Sequence, residues 1–86
     1  MNFPSTGTPE FWACYHRLPE DVRKLARKNY RLWSEQPLHP SLNFKKVSGA
    51  NWSVRVGIHY RAMGKFAEGG FLREWIGTHA EYDRLA

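Results

Sequence analysis

Two arginines stand out in this chain for the chemistry that their types and spacing allow. Arg55 lies between Val54 and Val56 and points to the face opposite them, and Arg61 follows six positions later on the next extended segment. A tight antiparallel connection would set both guanidiniums on one face. There they could hold a phosphate bidentately and stabilise negative charge that builds on it. On residue types alone, an arginine laid over the sheet or paired with Glu74 is the simpler reading. His79 and Tyr82 form a second pair, three positions apart, and a helical turn would put them on one face. Histidine is the usual general acid or base near neutral pH. A tyrosine beside cations can donate a proton or stack on a base. The plainer reading places Tyr82 in the core and His79 on the surface or in a cap. His16, His39, His59 and His79 fit no zinc spacing, and the lone Cys14 supports no cysteine cluster, so no metal site is expected. Gly64, Gly69 and Gly70 are too scattered to make a phosphate-cradling loop.

The charge pattern fits either a phosphate partner or a solvated basic face. Thirteen Lys and Arg against eight Asp and Glu leave a net charge of +5 over 86 residues. No acid occurs between Glu35 and Glu68, and that stretch carries Lys45, Lys46, Arg55, Arg61 and Lys65 with His39 and His59. Such a concentration is a candidate footprint for phosphates, and equally a solvated face of a small basic domain. The segment from Glu68 onward is net negative. At 42% hydrophobic and 15% aromatic, the chain is too apolar for a disordered tail. One cysteine excludes an internal disulfide framework and fits a reducing cytoplasm. No apolar run approaches the roughly 18 residues of a membrane span. The first residues lack the basic-then-apolar pattern of a signal peptide. The length predicts a single domain over residues 1–86.

The elements that must position these side chains follow from hydrophobic spacing. Residues 1–8 read as a loose lead-in. Thr8 is an N-cap and Pro9 suits a first helical position, which predicts a helix near 9–17. Val22, Leu25, Ala26, Leu32 and Trp33 share a stripe with Asn29, which predicts a helix over 19–35 that stops before Pro37. Arg23, Lys24, Arg27, Lys28 and Arg31 cover the rest, a solvated face or, less simply, a partner face. Beyond Pro40 the period changes to two. A weak strand is expected over 42–47, a strong one over 52–56, a third over 58–63 and a fourth over 71–76. Turns fall at 49–51 and 64–70. Thr78 caps a short final helix over 79–85. Helices followed by strands give an α+β fold: a helical hairpin on one face of a small antiparallel sheet of three to four strands, with the other face open. The four tryptophans, Trp12, Trp33, Trp52 and Trp75, are assigned to the core. Cys14 is assigned as a small buried hydrophobe.

Several segments resemble the RelE/ParE toxin superfamily. Phe11-Trp12-Ala13-Cys14-Tyr15-His16-Arg17-Leu18-Pro19, followed by the basic helix that ends at Pro37, resembles its opening. His39-Pro40-Ser41-Leu42-Asn43-Phe44-Lys45-Lys46-Val47 is similar to its first sheet segment. Trp52-Ser53-Val54-Arg55-Val56-Gly57-Ile58-His59-Tyr60-Arg61-Ala62 is similar to its arginine-bearing hairpin. The run from Trp75 to Leu85 resembles the tail of one branch. The likeness spans nearly the whole chain from about residue 9. Two features depart from it. The last strand carries the Arg73-Glu74 pair, which would fit an altered edge or a partner contact. No clear first strand is visible, which would leave a sheet edge open to an antitoxin.

The resemblance implies the toxin of a bacterial type II toxin–antitoxin pair, cytoplasmic and bound by a cognate antitoxin. Many members cleave mRNA on the ribosome, while others inhibit DNA gyrase without cutting RNA. For an RNase of this family the implied chemistry needs neither metal nor cofactor. By position, Arg61 matches the arginine on the scissile phosphate. Arg55 and one of Lys45 or Lys46 match the basic sheet residues, and His79 with Tyr82 matches a proton-transfer pair whose acid and base are not divided between them. The alternatives are a gyrase inhibitor, or a degenerate toxin that only binds its antitoxin.

Overall fold

The computed structural model describes residues 4–85. The elements run β1 (Ser5–Gly7), α1 (Pro9–His16), α2 (Glu20–Glu35), a 3-10 turn (Pro40–Leu42), β2 (Lys45–Ser48), β3 (Asn51–Val56), β4 (Tyr60–Ala67), β5 (Gly70–Thr78) and α3 (His79–Leu85). The α+β class and the helical hairpin match the expectation. Thr8 caps α1 as expected, its Oγ1 accepting from Phe11 N at 3.2 Å. The α2 stripe buries Val22, Ala26 and Trp33. The sheet has five strands in the order β1-β5-β4-β3-β2, antiparallel except that β1 runs parallel to β5.

The extra strand corrects the expected count of three to four. It lies in the supposed lead-in, whose first three residues fall outside the described residues. Ser5-Thr6-Gly7 shows no alternation because three small residues carry no side-chain period. Backbone pairing holds it: Phe71 N donates to Pro4 O and Thr8 N donates to Arg73 O, each at 2.9 Å. So β5 lies inside the sheet, and the Arg73-Glu74 pair does not sit on an altered edge. Among the described residues the edges are β1 and β2.

Three boundaries also move. The third strand starts at Tyr60 rather than at 58, because Gly57, at φ 67°, turns the chain in the left-handed region and leaves Ile58 and His59 in the turn. That strand then runs on to Ala67 through Gly64, where a turn is expected. A Cβ on Gly64 would come 2.5 Å from the Phe71 ring, so glycine is needed there for close approach rather than for turning. Leu42, expected in a strand, is fully buried in the 3-10 turn instead.

Two apolar clusters lie between the hairpin and the sheet. The first joins Phe11, Tyr15, Leu18, Val22 and Ala26 to Val56, Ala62 and Ile76. The second joins Trp33, Leu42 and Phe71, with Phe44 and Trp52 against them. Of the tryptophans, Trp33 meets the core expectation and Trp52 is half-buried in it. Trp12 does not: it is 40% exposed. Cys14 is half-buried at the margin of the first cluster. The far sheet face is not wholly open, since α3 buries Tyr82 against it.

Candidate phosphate site on the far face of the sheet

Pairing of β3 with β4 sets Arg55 directly opposite Arg61. Cross-strand partners share a face, so both arginines project away from the hairpin. Lys45 pairs with Ser53 and joins that face, whereas Lys46 pairs with Trp52 and belongs to the hairpin side. The register thus chooses Lys45 of the two lysines.

The two arginines differ in depth. Arg55 is exposed, while Arg61 is only 5% exposed. Arg61 Nη1 donates to Ser53 Oγ at 3.1 Å, and its guanidinium carbon lies 5.0 Å from the Tyr82 ring centroid. Tyr82 OH donates to the same Ser53 Oγ at 3.4 Å. Arg61 Nε is buried and has no partner among the described residues. Glu74 does not pair with either arginine, because it sits 3.6 Å from Lys65 Nζ. A buried guanidinium without a carboxylate keeps its charge available to an incoming anion. Gly77 lies across from Arg61 on β5, where a Cβ would come 2.5 Å from the Trp75 ring.

The final helix brings up the proton-transfer candidates. His79 N donates to His59 O at 2.7 Å, tying the start of α3 to the turn before β4. A reciprocal cap follows: Glu81 N donates to Thr78 Oγ1 at 3.1 Å, and Thr78 N donates to Glu81 Oε1 at 2.9 Å. The Thr78 backbone and side-chain hydrogen bonds hold the Glu81 carboxyl below its ordinary pKa. The cap sets the His79 ring centroid 5.9 Å from that of Tyr82. His79 is exposed, with Nε2 3.4 Å from Asp83 Oδ1. The structure therefore gathers Arg55, Arg61, His79, Tyr82 and Lys45 on one side of the sheet and leaves Lys46 out. It adds Ser53, 1% exposed, which residue types alone did not single out. Its signal was the phase it shares with Arg55, between Trp52 and Val54.

This arrangement offers a deep fixed cation, an outer cation, a phenol and an imidazole. Among the described residues no three His, Cys, Asp or Glu side chains converge on a metal position.

The same architecture occurs in solved structures. A chain of the RelBE2 toxin–antitoxin complex from Mycobacterium tuberculosis superposes with a TM-score of 0.74 at 16% identity, over 92% of this chain and 100% of that one. The chain has the RelE/ParE fold. The RelB–RelE complex from Methanococcus jannaschii gives a TM-score of 0.69 at 17% identity, covering 93% and 98%. The YoeB/ParE toxin from Agrobacterium tumefaciens gives 0.67 at 15%, covering 92% and 99%. No protein-family model matches the chain, and no curated protein matches it either. The RelE/ParE likeness is thus carried by backbone architecture far more than by residue identity.

Proposed function

We propose that this single-domain chain is the toxin of a type II toxin–antitoxin pair, that it acts in the cytoplasm, and that it is an endoribonuclease cutting translated mRNA. One observation supports this most strongly: Arg61 is buried without a carboxylate and carries an unpartnered Nε beside Tyr82, whose ring lies 5.9 Å from that of His79. The RelE/ParE fold, found in complexes whose names include an antitoxin, supports the pairing with an antitoxin.

In this reading the ribose 2′-OH attacks the adjacent phosphorus. The P–O bond to the next nucleotide breaks, leaving a 2′,3′-cyclic phosphate and a free 5′-OH. One proton leaves the 2′-OH and one reaches the departing oxygen, so no water, metal or cofactor is consumed. Arg61 and Arg55 stabilise the extra charge on phosphorus, and Lys45 holds the backbone nearby. His79 and Tyr82 move the two protons.

Primer extension on a translated message, after induction of the chain, tests the reading. Position-specific cuts are expected, and Arg61→Ala combined with His79→Ala should abolish both cuts and growth arrest. DNA damage without RNA cuts would instead mark a gyrase inhibitor. Antitoxin binding with neither effect would mark a degenerate toxin.

A further inference from the structure

Both apolar clusters pack against Val54. Between α2 and the hairpin side of the sheet they leave a cleft of about 500 Å³. This is the opposite sheet face from Arg61. The volume falls within the range of small-molecule sites, which are mostly apolar with a few placed polar groups. The floor includes Val54, Ala62 and Phe71, and aromatic walls come from Tyr15, Tyr30 and Trp33. Arginine is the one residue type of fixed charge along it: Arg27, Arg31 and Arg73 border the space, Arg55 meets it from β3 with its side chain on the far face, and no Asp or Glu does. None of the four is in an ion pair among the described residues.

Arg73 is the most telling of them. Its guanidinium carbon lies 4.4 Å from the Tyr30 ring centroid, 5.1 Å from Phe11 and 5.5 Å from Trp12. Its Nε donates to Ser5 Oγ at 3.0 Å. Burial lowers its pKa, as expected of a cation stripped of water without a counter-charge. Asn29 interrupts the apolar stripe of α2 at the cleft, half-buried, with its carboxamide unpartnered among the described residues. An arginine stacked on rings and lacking a carboxylate is placed to receive an anion attached to a flat apolar body.

We propose that this cleft binds a small aromatic anion: a planar apolar body in the cleft, with its carboxylate- or sulfonate-like group at Arg73 and Arg31. Nucleotides fit less well, because Asn29 is the one carboxamide on the walls and the rest of the lining is largely apolar.

The probe is anilinonaphthalene sulfonate, titrated into the full chain. Dye emission and tryptophan quenching report together, since Trp12, Trp33 and Trp52 line the cleft. One saturable site is expected, with a raised thermal unfolding midpoint because the folded state is the one that binds. Phenylnaphthylamine, the same body without the sulfonate, should bind at least about tenfold more weakly, the scale of one charge-assisted hydrogen bond. Arg73→Met should lower dye affinity by about the same factor without changing the neutral probe. Arg31→Met, at an exposed rim position, repeats that test if Arg73→Met fails to fold. Unsaturable binding, a lowered unfolding midpoint, or equal affinity for the two probes would each overturn the proposal. So would dye affinity unchanged in the folded variants, or displacement of the dye by adenosine monophosphate.

Discussion

The guanidinium of Arg61 and the phenol of Tyr82 share one acceptor, Ser53 Oγ, and lie 5.0 Å apart from guanidinium carbon to ring centroid. One hydroxyl thus fixes both the cation assigned to the phosphate and a group assigned to proton transfer. They come from β4 and α3, and the hydroxyl they share comes from β3.

Ser53→Ala should therefore be costly in two ways. It strands two buried donors, which predicts a loss of about 1–3 kcal/mol in stability. It should also lower kcat more than it raises KM, because Arg61 and Tyr82 lose their shared alignment. Ser53→Thr keeps the hydroxyl and should recover part of the rate. Urea unfolding and message-cleavage kinetics on the three proteins check this.

Arg61→Met should separate stability from activity. A buried cation without a carboxylate gives way to an apolar chain of similar length, so folding should hold or improve. Cleavage should fall by about 100-fold or more, the scale of losing one group that stabilises developing charge. Arg61→Lys keeps the charge and loses the planar fork, so its rate should fall between the two. Thermal unfolding and single-turnover cleavage measure the two effects independently.

The α3 cap should be acid-sensitive. The Glu81 pKa is lowered in the folded chain by hydrogen bonds from Thr78. Its contribution is therefore fully present above the ordinary glutamate value of 4.5 and is lost as pH falls through the lower folded value. Hydrogen exchange at the α3 amides should accelerate across that acid window. Glu81→Gln should show faster exchange at neutral pH and little further change on acidification.

Gly77→Ala tests the close approach beside Arg61. The added Cβ would lie 2.5 Å from the Trp75 ring and 2.9 Å from Glu81 Oε1. Overpacking of this kind costs about 1–3 kcal/mol. The unfolding midpoint should drop by about 4–8 °C for each kcal/mol lost in a domain of this size. An unchanged midpoint would show that β5 can yield at this position.

Where side chains repeat with a period, the sequence alone was enough to locate elements. The stripe Val22, Leu25, Ala26, Leu32, Trp33 marked α2, and the alternation of Trp52, Val54 and Val56 against Arg55 marked β3 and its polar phase. That phase set the face of Arg55, whereas placing Arg61 on the same face depended on a tight antiparallel connection, which the register supplies. What escaped was made by backbone or by distance. Ser5-Thr6-Gly7 is a strand because β5 offers it hydrogen-bond partners. Gly64 looked like a turn because its close approach to Phe71 is visible only in three dimensions. Ser53 looked like any polar strand residue, since its role depends on Tyr82, 29 positions away. The cleft beside Arg73 likewise depends on Tyr30, Phe11 and β5 meeting in space.

End-group analysis of the cleaved message tests the central claim most directly. Purified wild-type chain with translating ribosomes should give fragments ending in a 2′,3′-cyclic phosphate opposite fragments beginning with a 5′-OH. The same reaction with folded Arg61→Met should give neither. Full-rate cutting by Arg61→Met, or ends carrying a 5′-phosphate, would contradict the account.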